Sequence, residues 1–431
     1  MTPATRELLT FRQERWRSLF AGVIETAGST FLLLIATRQF DLGPIWKGLI
    51  AGGTSIGLLL SPLVVSFARR LGMAPSAAIS RLLFLGGVCC LGIGVYHHPK
   101  FYSIGSIIAL ATATCAIPLL TQLYQDNYPA NRRGKLYSSA FMIRIASAMI
   151  FAWIGGQILE PQLGEIADVL GIPLFRITAF IHKVPDRWRV LCGLFALAYL
   201  AAAWAVSRIP SSPLRPDSVG HSLQGLRFVR EDRIFRQALI AWMLMGFANL
   251  AMLPLRIEYL GNPKYGLTLG AAEIALLTLV LPNAARLIMS PIWGHLFDRM
   301  NFFRLRIILN LGFAAGIGTF FISQSTTGLV IGSILYGISN AGGDVAWGLW
   351  VTKVAPPNRV TDYMAIHTFL TGIRGVLAPL VAFQAVEVLK PSTLGWIATG
   401  LIVAASLMLV PEISLWKPRK SDDDCSTILP E

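Results

Sequence analysis

Twelve mostly apolar stretches of about 19 residues or more recur along this 431-residue chain, and few architectures can hold them. A helix crossing the hydrocarbon layer needs ~20 apolar residues. Only helices and closed barrels satisfy every backbone group in lipid. The stretches fall near 18–37, 48–67, 77–96, 102–123, 137–159 and 189–208, then near 238–258, 272–297, 306–323, 329–351, 363–387 and 394–414. Twelve helices of this length take about 240 residues and leave roughly 190 for connections and ends. Only 14% of the residues are charged and 54% are hydrophobic, where soluble domains carry roughly a quarter charged. The chain reads as an all-α polytopic membrane protein. Disulfide-rich secreted folds and intrinsic disorder are excluded.

A net charge of +14 suggests nucleic acid until its placement is considered. The basic residues sit in short breaks between apolar runs and form no continuous face, so no nucleic-acid partner is expected. With the N-terminus inside, and basic residues at span edges counted with the adjoining loops, about 23 of the 37 fall on the cytoplasmic side, about 10 outside and four, Arg81, Arg144, Arg286 and Arg374, well within spans. Basic residues accumulate in cytoplasmic loops, so both ends are expected there. In a bacterium this would be the cytoplasmic (inner) membrane. Cys89, Cys90, Cys115 and Cys192 lie inside apolar runs and read as small hydrophobes. The first run carries Glu25 and no small-residue cleavage pattern, so it reads as a retained span rather than a signal peptide.

The chain repeats itself. SPLVVSFARRLG begins at Ser61 and SPIWGHLFDRMN at Ser290, 229 residues on; PANRR at Pro129 is matched by PPNRV at Pro356, 227 residues on. Two matches at nearly one period, each ending a corresponding helix, imply two related six-helix halves. Parallel repeats of this kind place a binding site between them, near the bilayer midplane. The expected layout is a cytoplasmic N-terminus (1–17), an N-terminal bundle (18–208), a cytoplasmic linker (209–237), a C-terminal bundle (238–414) and a tail (415–431). Within the linker, SLQGLRFVREDRIFRQ reads as an amphipathic helix. The form of the long outer segment, 160–187, is left open.

Gly294-His295-Leu296-Phe297-Asp298-Arg299, followed by Arg304 and Arg306, resembles the signature loop of the major facilitator superfamily. The segments around Arg132 and Arg359 resemble that family's recurrent loop, and the resemblance covers roughly residues 15–415. It implies the twelve-helix, two-bundle fold of that family and alternating access. It also implies a cytoplasmic gate including Gly294, Asp298, Arg299, Arg132 and Arg359. The N-terminal copy departs from the pattern, with Val65 in place of the glycine and Arg69 in place of the aspartate. Arg69 can enter the gate only as a cation. Span five has Phe151-Ala152 before Gly155-Gly156 rather than the glycine-proline pair of drug-exporting antiporters, which removes support for that activity.

Charges inside the spans carry the functional expectation. Each costs ~2.5–3.5 kcal/mol at a helix centre, so each faces a cavity or a partner. Glu25, Arg144, Arg286, Asp344 and Arg374 all fall in the cytoplasmic half of the membrane. Helical spacing sets Asn283 beside Arg286, Asn340 and Trp347 beside Asp344, and His367 on the face of Arg374. These residues, without His367, form the expected substrate site. Three arginines against two acids suit an organic anion or zwitterion, although Glu25–Arg144 and Asp344 with Arg286 or Arg374 are also explained as structural pairs. Trp347 and Trp350 are equally explained as packing. Glu25, Asp344 and His367 are candidates for proton coupling. No phosphate loop, zinc spacing or nucleophile elbow is present, so neither an enzyme nor a cofactor is expected. The resulting expectation is a monomeric secondary transporter of a small solute. A lipid flippase and a non-transporting sensor or assembly subunit remain as alternatives.

Overall fold

A computed structural model describes residues 2–129, 133–159, 186–214, 226–323, 325–355 and 360–415. Eleven of its helices are long and apolar enough to cross a bilayer, or twelve if one bent pair counts as a single span. In chain order they are α1 (Pro3–Arg38), α2 (Pro44–Ala51 with Gly53–Arg70), α3 (Pro75–Val95), α4 (Pro99–Tyr124), α5 (Arg133–Leu159) and α6 (Arg187–Ser207). The second set is α7 (Arg233–Gly261), α8 (Ala271–Phe297), α9 (Phe302–Ile322), α10 (Thr326–Val354), α11 (Val360–Val388) and α12 (Pro391–Leu409).

Many of these helices start where their sequences say they should. Proline occupies an early position in α2, α3, α4 and α12, where its missing N–H costs nothing. Thr2, Asp232, Asn301 and Ser325 accept backbone N–H bonds at the starts of α1, α7, α9 and α10. α2 bends by 55° at Gly52, as glycine pairs permit.

Two departures from regular α-helix face each other across the halves. α1 contains a π-turn at Ala27–Phe31 and α8 another at Leu276–Val280. The second precedes Pro282, which has no N–H to offer the turn before it. The two turns meet across the molecule, where the Thr30 and Thr278 hydroxyls lie 3.1 Å apart. Such turns concentrate at functional sites.

The internal repeat governs the packing. In the first half α1 packs on α5 and α6, α2 on α4, and α3 on α4 and α6. In the second half α7 packs on α11 and α12, α8 on α10, and α9 on α10 and α12, which is the same set shifted by six helices. Each half has its own apolar core. The exchange between them is small: Leu33 and Leu34 of α1 enter the C-terminal core, and Ala275 and Leu279 of α8 enter the N-terminal one. Large apolar side chains such as Leu63, Val95, Trp396 and Leu407 stand exposed on the outside, an arrangement water does not tolerate and lipid does.

The stretch expected as one amphipathic helix is divided. Leu226–Glu231 is a short helix with Phe228 buried. Asp232 then breaks it and starts α7, accepting from the Phe235 N–H at 2.9 Å and the Tyr363 hydroxyl at 3.1 Å. Residues 160–185, 215–225 and the tail from 416 lie outside the described residues.

Candidate functional site

The two halves meet along α2 with α11 and α5 with α8. With an even number of spans, both chain ends lie on one face, called here the terminal face. Towards the opposite face the seam is tight. A Cβ added to Gly48 would stand 2.9 Å from the Leu380 backbone, one on Gly52 3.3 Å from Gly375 O, and one on Gly156 2.8 Å from the Ala272 backbone. Glycine at these points lets helices touch backbone to backbone.

The tight part of the seam is clamped by charge. Lys47 of α2 places its Nζ 3.0 Å from both carboxylate oxygens of Glu258 on α7. Thr37 of α1 donates to the same carboxylate at 3.2 Å and Asn262 at 2.6 Å. Lys47 is 6% exposed and Glu258 2%. Arg38 adds a hydrogen bond to the Leu269 carbonyl across the same seam.

At mid-depth lies the second charged group. Arg144 of α5 donates from Nε to Glu25 of α1 at 2.6 Å. The other Glu25 oxygen lies 3.4 Å from Arg286 Nη1 on α8. Arg286 Nε reaches Asp344 of α10 at 2.5 Å, and its Nη1 also reaches Asn283 Oδ1 at 3.4 Å. The result is an alternating row, Arg144–Glu25–Arg286–Asp344, with two charges of each sign and both halves contributing. Phe141 lies under both guanidinium groups, 5.8 Å from Arg144 and 5.4 Å from Arg286. The middle of the row is covered and its ends are open: the Arg286 side chain is 9% exposed, while Arg144 is 37% and Asp344 36%.

The structure thus gathers Glu25, Arg144, Asn283, Arg286 and Asp344 and leaves Arg374 and His367 elsewhere. Arg374 pairs with no acid among the described residues; it donates to the Trp242 carbonyl at 2.6 Å. It lies flat on Gly246, where an added Cβ would collide with the guanidinium. His367 is fully buried among Trp242, Trp350 and Trp347, with ring centroids 5.2, 5.2 and 5.8 Å away. Trp347 is half-buried, and so is Asn340, one turn from Asp344. Gly246→Ala is expected to displace Arg374 at a cost of about 1–3 kcal/mol, read as a lower thermal midpoint of the purified protein.

Sequence reading missed four charged residues by counting them with the loops. Lys47 and Glu258 form the clamp. Arg306, taken as part of the signature loop, is 2% exposed inside α9, 3.8 Å from the Trp242 ring centroid. Arg256 is 6% exposed inside α7. All four lie within a few residues of a span boundary, where a snorkelling side chain is the ordinary explanation.

Of the expected gate, Arg132 and Arg359 lie outside the described residues, and so does the side chain of Asp298. Arg299 is exposed at the end of the helical segment Leu281–Arg299, two residues beyond α8 as bounded above, and Arg69 is half-buried near the end of α2. A Cβ added to Gly294 would meet nothing within 4 Å among the described residues. The glycine contacts across the seam lie towards the opposite face, not here.

Against known proteins, the family profile described as Major Facilitator Superfamily matches residues 18–379 and again 263–423. The chain belongs to the major facilitator superfamily. Members of this family are transporters of small solutes, and this chain is an integral membrane protein of that kind. Among curated proteins no sequence match is found. Among solved structures it is similar to a mutant of the nucleoside transporter NupG (TM-score 0.73, 11% identity, 95% of this chain and 100% of that one). It is also similar to the xylose transporter XylE from E. coli in a partially occluded inward-open conformation (0.67, 16%, 97% and 99%). A third is a bacterial homolog of the human lysosomal transporter Spinster, inward-facing and unoccupied (0.61, 13%, 96% and 95%). At these identities the likeness establishes the fold alone.

Proposed function

We propose that the protein is a secondary transporter that carries a small zwitterionic solute between its two halves by alternating access. One observation carries the choice of substrate class. The buried row is neutral overall, yet its half-exposed ends are opposite in sign, Arg144 on one side and Asp344 on the other. A lone anion would find Asp344 and Glu25 repelling it. A zwitterion offers its acidic group to Arg144 and its cationic group to Asp344, and each contact replaces water with a charge-assisted hydrogen bond.

The terminal face is assigned to the cytoplasm on the distribution of basic residues. The tight seam is then the outer one, and the structure is an inward-facing state. Lys47 and Glu258 hold the outer side shut while the substrate row faces the cytoplasm. Lipid surrounds the protein, and it works as a monomer. Protons are the proposed coupling ion. Protonation of Asp344 or Glu25 removes one partner of Arg286 and frees it to re-pair, whereas His367 is boxed in by tryptophans away from the row.

The test is uptake into proteoliposomes holding the purified protein. Radiolabelled zwitterions (amino acids and betaines), monocarboxylates and neutral sugars are compared. Zwitterion uptake is expected to exceed the others, and Arg144→Ala and Asp344→Ala are each expected to lower it at least tenfold. Equal uptake of single-charge or uncharged analogues, or unchanged zwitterion uptake in both variants, would sink this reading.

A further inference from the structure

α1 is longer than the layer it crosses. Its 36 residues, Pro3–Arg38, span about 54 Å at 1.5 Å per residue. The hydrocarbon of a bilayer is about 30 Å thick. Arg38 marks the end on the opposite face, so roughly the first 15 residues stand beyond the hydrocarbon on the terminal face. This extension is held in place by buried polar contacts. The Tyr124 hydroxyl donates to Glu14 at 2.6 Å, and Arg17 donates to the two Glu14 oxygens at 2.6 and 2.7 Å. Asn127, just past α4, donates to the Thr10 hydroxyl at 3.0 Å and to the Pro210 carbonyl at 2.8 Å. Thr10, Gln13, Glu14 and Ser18 form the covered side.

The other side of the extension is bare. Arg12, Arg15, Trp16 and Leu19 are exposed and follow the i, i+3, i+4, i+7 spacing of one helix face. Trp16 stacks on Phe20, with ring centroids 6.5 Å apart. No acid shares this stripe. Glu14 is turned inward with Glu7 two turns before it, and neither Arg12 nor Arg15 has a carboxylate partner among the described residues. Counted back from Arg38, the hydrocarbon ends about 20 residues on, near Ser18. Trp16 and Leu19 therefore stand at its boundary. Arg15 and Arg12 follow about 5 and 9 Å beyond it, within reach of the headgroups.

We propose that this face docks an anionic phospholipid of the leaflet at the terminal face, with its phosphate shared by Arg12 and Arg15 and its acyl chain along Trp16 and Leu19. Tryptophan favours this level of the bilayer. Basic side chains beside the headgroups draw anionic lipid, and a guanidinium grips phosphate through two parallel N–H bonds. The covered side fastens the extension to α4 and to the start of the linker at Pro210. A lipid held here thus anchors the N-terminal half in its leaflet. The proposal depends on neither the substrate row nor the direction of transport.

The test uses the purified full chain in phosphatidylcholine vesicles, with brominated phosphatidylglycerol or brominated phosphatidylcholine added in rising proportion. Bromine quenches tryptophan on contact, and subtracting the signal of Trp16→Phe in each background isolates the emission of Trp16. In wild type this emission is expected to be quenched at a lower proportion of phosphatidylglycerol than of phosphatidylcholine. The preference is expected to fall about fivefold in Arg12→Gln and to vanish when Arg15→Gln is added. Arg12→Lys with Arg15→Lys is expected to retain it. Lys100→Gln with Lys390→Gln, an equal loss of charge on the opposite face, is expected to leave it unchanged. Equal quenching by the two lipids in wild type, a preference that survives in the double glutamine variant, or its loss on adding inorganic phosphate overturns the proposal.

Discussion

Reversing Lys47 to Glu is expected to open the seam on the opposite face, and adding Glu258→Lys to the same chain is expected to close it again. In the native protein the Lys47 ammonium touches both oxygens of Glu258, and the pair is almost fully covered. Removing one member of a buried pair costs about 3–5 kcal/mol, mostly because the other charge stays behind unpaired. In a two-state equilibrium, 1.4 kcal/mol is about a tenfold change, so a loss of ~3–5 kcal/mol turns a dominant closed state into a minor one. Thr37 and Asn262 would still bond Glu258 in the single variant, but neither carries a charge. Spin labels on the α1–α2 and α7–α8 connections give the readout as a distance distribution. The single variant should move most of the population to the longer distance, and the double swap should return it. A distribution that stays short in Lys47→Glu, or a double swap no better than the single, would show that the pair is structural filling and not a latch.

How far sequence reached into this molecule depended on what each residue's neighbours had to be. Span positions were legible because lipid leaves the backbone one local solution, and length with hydropathy reports it directly. The five residues gathered at mid-depth were legible for a related reason. Glu25, Arg144, Asn283, Arg286 and Asp344 are polar groups well inside apolar runs, and such groups must find one another or water. Glu25–Arg144 and Asp344 with Arg286 or Arg374 could be named as pairs, but the Glu25–Arg286 link that joins them across the halves could not, since it depends on which faces of the helices point inward. Hence Arg374, equally deep in its span, pairs with a backbone carbonyl and not with Asp344. Lys47, Glu258, Arg256 and Arg306 escaped because boundaries are uncertain by a few residues, which is the distance that separates a loop charge from a buried one. The π-turn before Pro282 had a local cue in the proline; the one at Ala27–Phe31 had none beyond Gly28.

The position of Arg286 at the centre of the row sets the other large expectation. Arg286→Ala leaves Glu25 with only Arg144 and leaves Asp344 without an ion-pair partner among the described residues, in a site half-closed to water. The single variant is expected to lose about 3–5 kcal/mol and at least a hundredfold in transport rate. Asp344→Ala added to it removes the stranded acid. Stability should then recover by more than the sum of the single effects allows, because the two residues are in direct contact and their effects do not add. Transport should stay lost, since neither the cationic centre of the row nor its acidic end remains. Thermal midpoints and proteoliposome uptake on wild type, both singles and the double variant separate two roles that one deletion confounds. Recovered stability with recovered transport would mean the pair only neutralises itself. Recovered stability without transport is the result that the exposed ends of the row require, because a solute that bridges Arg144 and Asp344 needs the charge between them to hold the two halves in register.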